Sequence, residues 1–471
     1  MTVRVYNTLG RRMEPLQPSG DGRIRMYVCG PTVQSRPHLG HGRQAVAFDV
    51  IRRYLEWRGY SVTYVTNITD VEDKIIEAAT EEGLPVPELA ERMTGLFLEA
   101  YDLLGVRPPD VLPKATEHIP EMVELIRALI ERDHAYPAGG DVYFSVRSLP
   151  GYGKLSGRNL DELLAGARVE PGEHKRDPLD FALWKSSQPG EPAWDSPWGP
   201  GRPGWHIECS VMAVKHLGFG FDIHGGGTDL IFPHHENEIA QSEGAEGREP
   251  FARYWLHNEM LNLAGEKMSK STGLVVDLLE VLDRYDPQAV RLLYLRTHYR
   301  SPMEFTEDIL QDAAASLERL WSFRRRFPGT SAFEAEPEAV QRFAAAMDDD
   351  FNTPEAMAVL FDVVREGNRR LDAGEEAGAW VVAFDEMVTV LGLEPPELEL
   401  TRLAGALAGL AGELGIDADG HPEQILAALV ERREQARRRE EWAMADHLRR
   451  RLAEVGIVLE DTPDGPRWHR G

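Results

Sequence analysis

Three groups of side chains in this sequence have types and spacings that could do chemistry. The first is Pro37-His38-Leu39-Gly40-His41. It opens a stretch in which Val46, Val50, Ile51, Tyr54 and Leu55 recur at helical spacing, so the two histidines sit at a helix N-terminus. The unpaired N–H groups and positive dipole end of such a terminus suit phosphate. Gly40 lets a nucleotide approach the backbone closely, and His38 and His41, on one face, can donate to phosphate oxygens. The second group is Lys267-Met-Ser-Lys-Ser271, lying between Gly265 and Gly273. There Lys267 and Lys270 form a cationic loop able to offset triphosphate charge during phosphoryl transfer. The third group is dispersed: Cys29, Cys209 and the run Pro233-His-His-Glu-Asn-Glu238. On a helix His234 and Glu238 are i,i+4 and share a face. Two thiolates, an imidazole and a carboxylate suit zinc. Spacing alone leaves His224, His235 and Glu236 as competitors. Each group also has a plainer reading: capping histidines, a solvated basic loop, and cysteines acting as small buried hydrophobes.

These residues need elements to position them. Ile24–Val28 reads as a short buried strand, His38–Arg58 as a helix stopped by Gly59, and Ser61–Val65 as a second strand. Strand, loop, helix and strand make a βαβ unit, hence a parallel sheet with its ligand site beyond the carboxyl ends of the strands. From 110 to 200 the character changes, with a helix near Glu117–Arg132, a strand at Asp141–Ser145 and a Gly-, Pro- and Trp-rich run from Gln188 to Gly204. This reads as an insertion. A helical segment from Ile207 leads to Phe221–Gly227, and another helix starts near Pro233. Beyond Asp277 nearly everything reads as helix, including Pro287–Thr297, Ala313–Phe327, Glu338–Met347 and Pro354–Leu371, with a linker at Ser331–Pro337. Ile457–Asp461 and Pro466–His469 suggest a terminal hairpin turning at Asp464-Gly465.

The length of 471 residues implies two to four domains at roughly 100–200 residues each. The expected division is a first catalytic half at 1–110, an inserted connective domain at 111–200 and a second catalytic half at 201–264. A loop and stem-contact region follows at 265–330, a helical bundle at 331–410 and a C-terminal domain at 411–471. The fold class is α/β. A split Rossmann-like parallel-sheet catalytic domain carries the insertion and is followed by a helical bundle and a small α+β tail domain.

Two cysteines exclude a disulfide scaffold. No apolar run is long enough to span a membrane, and Met1–Asn7 lacks the apolar core of a signal peptide, so a cytoplasmic location is expected. The net charge of −26 argues against a basic nucleic-acid binder. Residues 421–471, however, hold ten arginines against ten acidic residues and are neutral. A local basic track suffices to hold RNA, although a solvated helix face laced with ion pairs explains the same composition. No Gly-x-Ser-x-Gly, His-Glu-x-x-His or P-loop pattern occurs, which removes three common hydrolase and nucleotidase readings.

His-x-Gly-His at the head of the first βαβ helix, with Lys-Met-Ser-Lys-Ser much later, resembles the class I aminoacyl-tRNA synthetases. Further stretches are similar to the cysteinyl-tRNA synthetase family: Cys29-Gly-Pro-Thr-Val33, Asn67-Ile-Thr-Asp70, Asp73-Lys-Ile-Ile76, Gly204-Trp-His-Ile-Glu-Cys209, Asp222-Ile-His-Gly-Gly-Gly-Thr-Asp229 and Phe232–Gln241. Asp349–Pro354, Leu459–Pro463 and Trp468 extend the match over essentially the whole chain. The resemblance implies zinc ligands at Cys29, Cys209, His234 and Glu238, and a substrate pocket completed by Gly30, Thr69, Trp205 and Asp229. It implies ATP bound by His38, Gly40, His41, Lys267 and Lys270, with Mg²⁺ accompanying the nucleotide. It implies L-cysteine and tRNA(Cys) as partners, no membrane, and a monomer. A metal–thiolate bond would separate cysteine from serine where packing differences are weak. The runner-up is the cysteine ligase of mycothiol synthesis, a shorter relative with an amino-sugar acceptor. The sequence departs from the family pattern at Leu39, at Gly42, where alanine is common, and at Leu274, where asparagine often follows Gly273.

Overall fold

The computed structural model describes the chain apart from residues 1, 21, 160–173, 264–265, 268–275, 328–332, 394–395, 417–421, 463–464 and 471. The chain divides into two compact units, Met1–Glu318 with Ser331–Leu391, and Arg319–Thr330 with Gly392–Gly471.

The first unit opens with an antiparallel hairpin of β1 (Arg4–Asn7) and β2 (Arg12–Pro15). Strand β3 (Arg23–Val28), helix α1 (Leu39–Trp57) and strand β4 (Ser61–Thr66) form the βαβ unit, and the two strands pair in parallel from Arg23↔Ser61 to Val28↔Thr66. Ile24, Met26, Tyr27 and Val28 are all buried, as expected for a parallel strand covered on both faces. Helices α2 (Asp73–Glu82), α3 (Val86–Leu103) and α4 (Ile119–Glu131) follow.

The insertion is a four-stranded antiparallel sheet of β5 (Ala135–Ala138), β6 (Asp141–Phe144), β7 (Phe181–Ser186) and β8 (Gly201–Pro203). Sequence reading found only β6, because strands of three to six residues offer too few alternations to register.

The chain then returns to the central sheet. Helix α5 (Trp205–Leu217) leads into β9 (Phe221–Gly227), and helix α6 (Glu236–Glu246) into β10 (Ala252–Asn258). The strand order is β10-β9-β3-β4, all parallel. Short strands β11 (Leu261–Leu263), β12 (Glu266–Lys267) and β13 (Met303–Phe305) make a separate sheet, with β11 in the middle. Helices α7 (Leu278–Arg284), α8 (Pro287–Leu295), α9 (Glu307–Arg325), α10 (Pro337–Asp348), α11 (Thr353–Ala373) and α12 (Gly378–Leu391) complete this part. Strand β13 interrupts what reads from sequence as continuous helix.

A buried ion cluster ties four of these helices together. Asp49 on α1 accepts from Arg53 Nε at 2.7 Å and from Arg291 Nη2 at 2.5 Å. Arg291, on α8, also donates to Leu391 O at the end of α12 and to Leu104 O just beyond α3. Two guanidiniums share one carboxylate, and helix-terminal carbonyls supply the remaining acceptors.

In the second unit α13 (Pro396–Glu413), α14 (Pro422–Arg438) and α15 (Trp442–Glu454) pack around Leu407, Leu410, Leu429, Leu448 and Leu452. The antiparallel pair β14 (Ile457–Thr462) and β15 (Gly465–Arg470) closes the chain. The turn expected at Asp464-Gly465 falls partly outside the described residues. Among the described residues no helix is long and apolar enough to cross a membrane.

Candidate active site

The carboxyl ends of the parallel strands supply the site. Cys29 and Gly30 follow β3, Asn67 and Thr69 follow β4, and Asp229 follows β9 in a short 3₁₀ turn at Thr228–Leu230. This is the edge where open α/β sheets bind ligands.

Helix α1 begins in the first histidine motif, and its capping explains the residue types. His38 is the N-cap: its Nδ1 accepts the Gly40 N–H at 3.1 Å, while His41 Nδ1 accepts the His38 N–H at 3.1 Å. Each ring thus uses Nδ1 as an acceptor, which in the neutral form puts the ring proton on Nε2. The two rings stack, with 3.6 Å between centroids. Gly42 also has a local reason. A Cβ there would come within 2.9 Å of Tyr294 Oη, 3.0 Å of Leu278 Cδ2 and 3.1 Å of Leu104 Cδ1.

For the lysine motif, the backbone of Lys267 lies in β12 opposite Asn262. The side chain of Lys267, and Lys270, Gly265, Gly273 and Leu274 altogether, lie outside the described residues. Their flanks are bound beside the first motif. Leu39 N donates to Val276 O at 3.2 Å, Leu278 N donates to Pro37 O at 2.9 Å, and Arg36 Nε reaches Asp277 at 2.5 Å. Arg43 on α1 donates to Met260 O at 2.7 Å and to Ser301 O, at the roots of β11 and β13.

The structure brings Cys29, Cys209, His234 and Glu238 together, with one ligand atom from each all within 4.8 Å of one another and all four residues buried. Glu238 Oε1 lies 3.4 Å from Cys29 Sγ and 3.2 Å from His234 Nε2. His234 precedes α6, in a π turn over Ile231–His235 with Phe232 extended at φ −140° and ψ 129°. The regular helix that the sequence suggests from Pro233 therefore begins only at Glu236. The i,i+4 approach to Glu238 is nevertheless made.

A second group, Cys29, His224, His235 and Glu238, meets the same distance criterion. His224 Nε2 is 2.8 Å from Glu238 Oε2, and His235 Nδ1 is 2.8 Å from His257 Nε2. Glu236 is directed elsewhere: its carboxylate accepts the backbone N–H groups of Gly153, Leu155 and Ser156 at 3.0, 3.1 and 2.7 Å.

Burial sets the electrostatics. It pushes the Cys29 thiol and the Glu238 carboxyl well above their usual values. It pushes His234 and His235 well below theirs, and His224 down to about 3. Neutral imidazoles beside buried acids form a donor set that a divalent cation would neutralise. The first group, with two sulfurs, suits borderline-soft zinc better than the second, with one. Trp205, the first residue of α5, is half-buried, and its ring stacks on His234 at 4.3 Å.

Sequence reasoning named His224 only as a rival ligand and did not place Asn67 or Tyr27 at this centre, although Tyr27 lies two residues before Cys29.

Family models for the class I (C) tRNA synthetase catalytic domain, the DALR domain and the cysteinyl-tRNA ligase anticodon binding domain match residues 15–315, 342–394 and 422–468. The chain is 50% identical over 476 residues to the cysteine–tRNA ligase of Alkalilimnicola ehrlichii, covering 99% of this chain and 100% of that one. It is 47% identical over 493 residues to that of Thermococcus gammatolerans, covering 100% and 99%. In three dimensions it resembles Mycobacterium tuberculosis methionyl-tRNA synthetase in complex with methionyl-adenylate, with a TM-score of 0.58, 16% identity, and coverage of 87% of this chain and 94% of that one. An Agrobacterium radiobacter LeuRS–tRNA–LeuAMS complex superposes with a TM-score of 0.59 at 12% identity over 80% of this chain and 84% of that one. The full-length identity, with the catalytic-domain match over most of the chain, makes this protein a member of the cysteine–tRNA ligase family of class I aminoacyl-tRNA synthetases.

Proposed function

We propose that the protein activates L-cysteine with ATP and transfers it to the terminal ribose of tRNA(Cys), using a zinc held by Cys29, Cys209, His234 and Glu238 to select the thiol. The observation that carries this reading is the buried two-sulfur quartet at the carboxyl edge of the sheet, close to the α1 N-terminus. When bound, zinc supplies a borderline-soft Lewis acid that favours a thiolate over serine's hydroxyl.

The chain's own residues do the rest by position and charge. Gly30, Thr69, Trp205 and Asp229 bound the amino acid. The substrate carboxylate attacks the ATP α-phosphorus, forming cysteinyl-adenylate as pyrophosphate leaves. His38 and His41 donate Nε2–H to phosphate oxygens, and Gly40 admits the nucleotide. Lys267 and Lys270 stabilise charge on the departing pyrophosphate, with Mg²⁺ accompanying the ATP. The tRNA 2′-hydroxyl, by class I analogy, then takes the cysteinyl group and AMP leaves. No protein nucleophile is required.

We assign these roles along the chain as 1–110 and 201–264 for catalysis, 111–200 connective, 265–330 for the signature loop and stem contact, 331–410 a helical bundle, and 411–471 for the anticodon. A monomer acting in the cytoplasm is the assembly and location we propose. The small-acceptor ligase of mycothiol synthesis is not supported, because an anticodon-binding domain matches residues 422–468.

The test is cysteine-dependent ATP–pyrophosphate exchange, followed by charging of tRNA(Cys). Exchange and ester formation together are expected. Exchange without charging would contradict the tRNA role, and no exchange would contradict the enzyme.

A further inference from the structure

We propose that Asn67 is the positioning residue that sets the shape of the cysteine pocket, acting through Gly30, Tyr27 and Thr69 rather than touching the substrate. This rests on the zinc and pocket assignments above. Asn67 directly follows β4 and is fully buried. Its Oδ1 accepts the Gly30 N–H at 2.9 Å and the Tyr27 hydroxyl at 3.0 Å, and lies 3.7 Å from Cys209 Sγ. Its Nδ2 donates to Thr69 Oγ1 at 3.2 Å.

The amide can adopt only one orientation. A backbone N–H can only donate, so the atom facing Gly30 must be oxygen and the amide nitrogen must face Thr69. The main chain adds a second restraint. A Cβ at Gly30 would come within 1.7 Å of Asn67 O, so the two segments touch and residue 30 must be glycine. One residue thus holds the turn after β3 that carries Cys29 and Gly30, a pocket hydroxyl on the β4 loop, and the Tyr27 phenol. With both oxygen lone pairs used, the Thr69 hydroxyl receives the amide N–H and must direct its own hydrogen elsewhere.

Two substitutions separate this role from mere folding. Asn67→Asp keeps the shape and the acceptor but puts a carboxyl oxygen where the amide N–H faced Thr69, so the Thr69 hydroxyl must change the direction of its own hydrogen. Asn67→Ala removes every contact. For both we expect the KM for cysteine in ATP–pyrophosphate exchange to rise at least about tenfold, the scale of losing a buried hydrogen bond. The KM for ATP should stay within about twofold of the unsubstituted protein, because among the described residues Asn67 bonds to none of the first nucleotide motif. Zinc content should be retained. If Asn67→Ala does not fold, Asn67→Asp alone decides. An unchanged cysteine KM would overturn the proposal. So would a parallel rise of the cysteine and ATP KM values with a fall in zinc content, which marks a scaffold residue. Lack of zinc or of exchange in the unsubstituted protein would overturn the functional reading itself and the pocket with it.

Discussion

Glu238 divides its oxygens between two sets of neighbours: Oε1 faces Cys29 and His234, and Oε2 faces His224. His224 Nε2 lies 2.8 Å from Oε2, and with a metal holding Glu238 ionised a neutral His224 would donate Nε2–H to it and fix which oxygen is turned toward the thiols. His224→Phe keeps a ring but removes the donor. It should speed zinc release to a chelator by about 10–100-fold while zinc-replete protein stays folded; an unchanged rate would mean that Glu238 is oriented by its helix alone. For the nucleotide, Lys270→Ala should depress the activation rate far more than cysteine affinity, measured by exchange kinetics against cysteine binding, and an unchanged rate would sink the role of that lysine. Much at this scale was legible from residue types. The two histidines and two lysines announce phosphate chemistry through local spacing alone. The zinc set does not, because Cys29 and Cys209 meet only through the parallel sheet and α5, and spacing had left His224, His235 and Glu236 as rivals. Gly42 is the opposite case: on sequence it costs a helix about 1 kcal/mol, yet the side chains that a Cβ would meet at about 3 Å leave little room for a methyl group.

Element positions depend on a few buried carboxylates. Glu236 lies between ligands His234 and Glu238 and accepts three N–H groups from residues 153–156, while Asn237 Oδ1 accepts the Tyr152 hydroxyl at 2.5 Å. The insertion therefore grips the first turn of α6. Glu236→Gln should destabilise the protein by about 1–3 kcal/mol and loosen zinc, both readable in one thermal and chelator series. Asp49 plays a similar part for α1. Burial alone would raise its carboxyl, but Arg291 and Arg53 more than offset that and hold it below the usual value. A carboxyl lowered in the folded state stabilises at pH above its unfolded value, and that contribution fades as pH falls through the folded one. Its loss should thus appear below about pH 4 in acid unfolding. Asn at position 49 would leave two buried guanidiniums uncompensated, at a cost of about 3–5 kcal/mol, and its acid transition should lack the Asp49 component. The βαβ unit behind this helix was readable because long apolar periodicity survives in α1 and β3. The insertion sheet was not, since its strands are short and one of them, β8, is only Gly201–Pro203.

At the scale of the whole chain, the catalytic-domain match covers residues 15–315 and the anticodon-binding match residues 422–468. The second unit carries Arg432, Arg438, Arg439, Arg449 and Arg450 exposed, while Arg433 is buried beside Glu434 and Arg451 pairs with Glu413 and Glu454. Some of these arginines make ion pairs within the protein, the exposed Arg438 with Glu431 among them, while Arg432, Arg439, Arg449 and Arg450 stand exposed, as a phosphate track would require. Truncation after Leu391 should preserve cysteine-dependent exchange and abolish efficient charging of tRNA(Cys); charging at full rate would contradict the role given to residues 411–471. The net charge of −26 pointed away from nucleic acid because it sums over the whole chain, whereas recognition depends on local surface.

The central claim is that zinc held by the buried quartet selects cysteine. Its most direct test is ATP–pyrophosphate exchange with cysteine and with serine, on the zinc-replete protein, after chelator treatment, and after zinc is restored. The account predicts exchange with cysteine at least about a thousandfold above serine, lost with the metal and regained with it. Cysteine-dependent exchange that persists undiminished in zinc-free protein would contradict it.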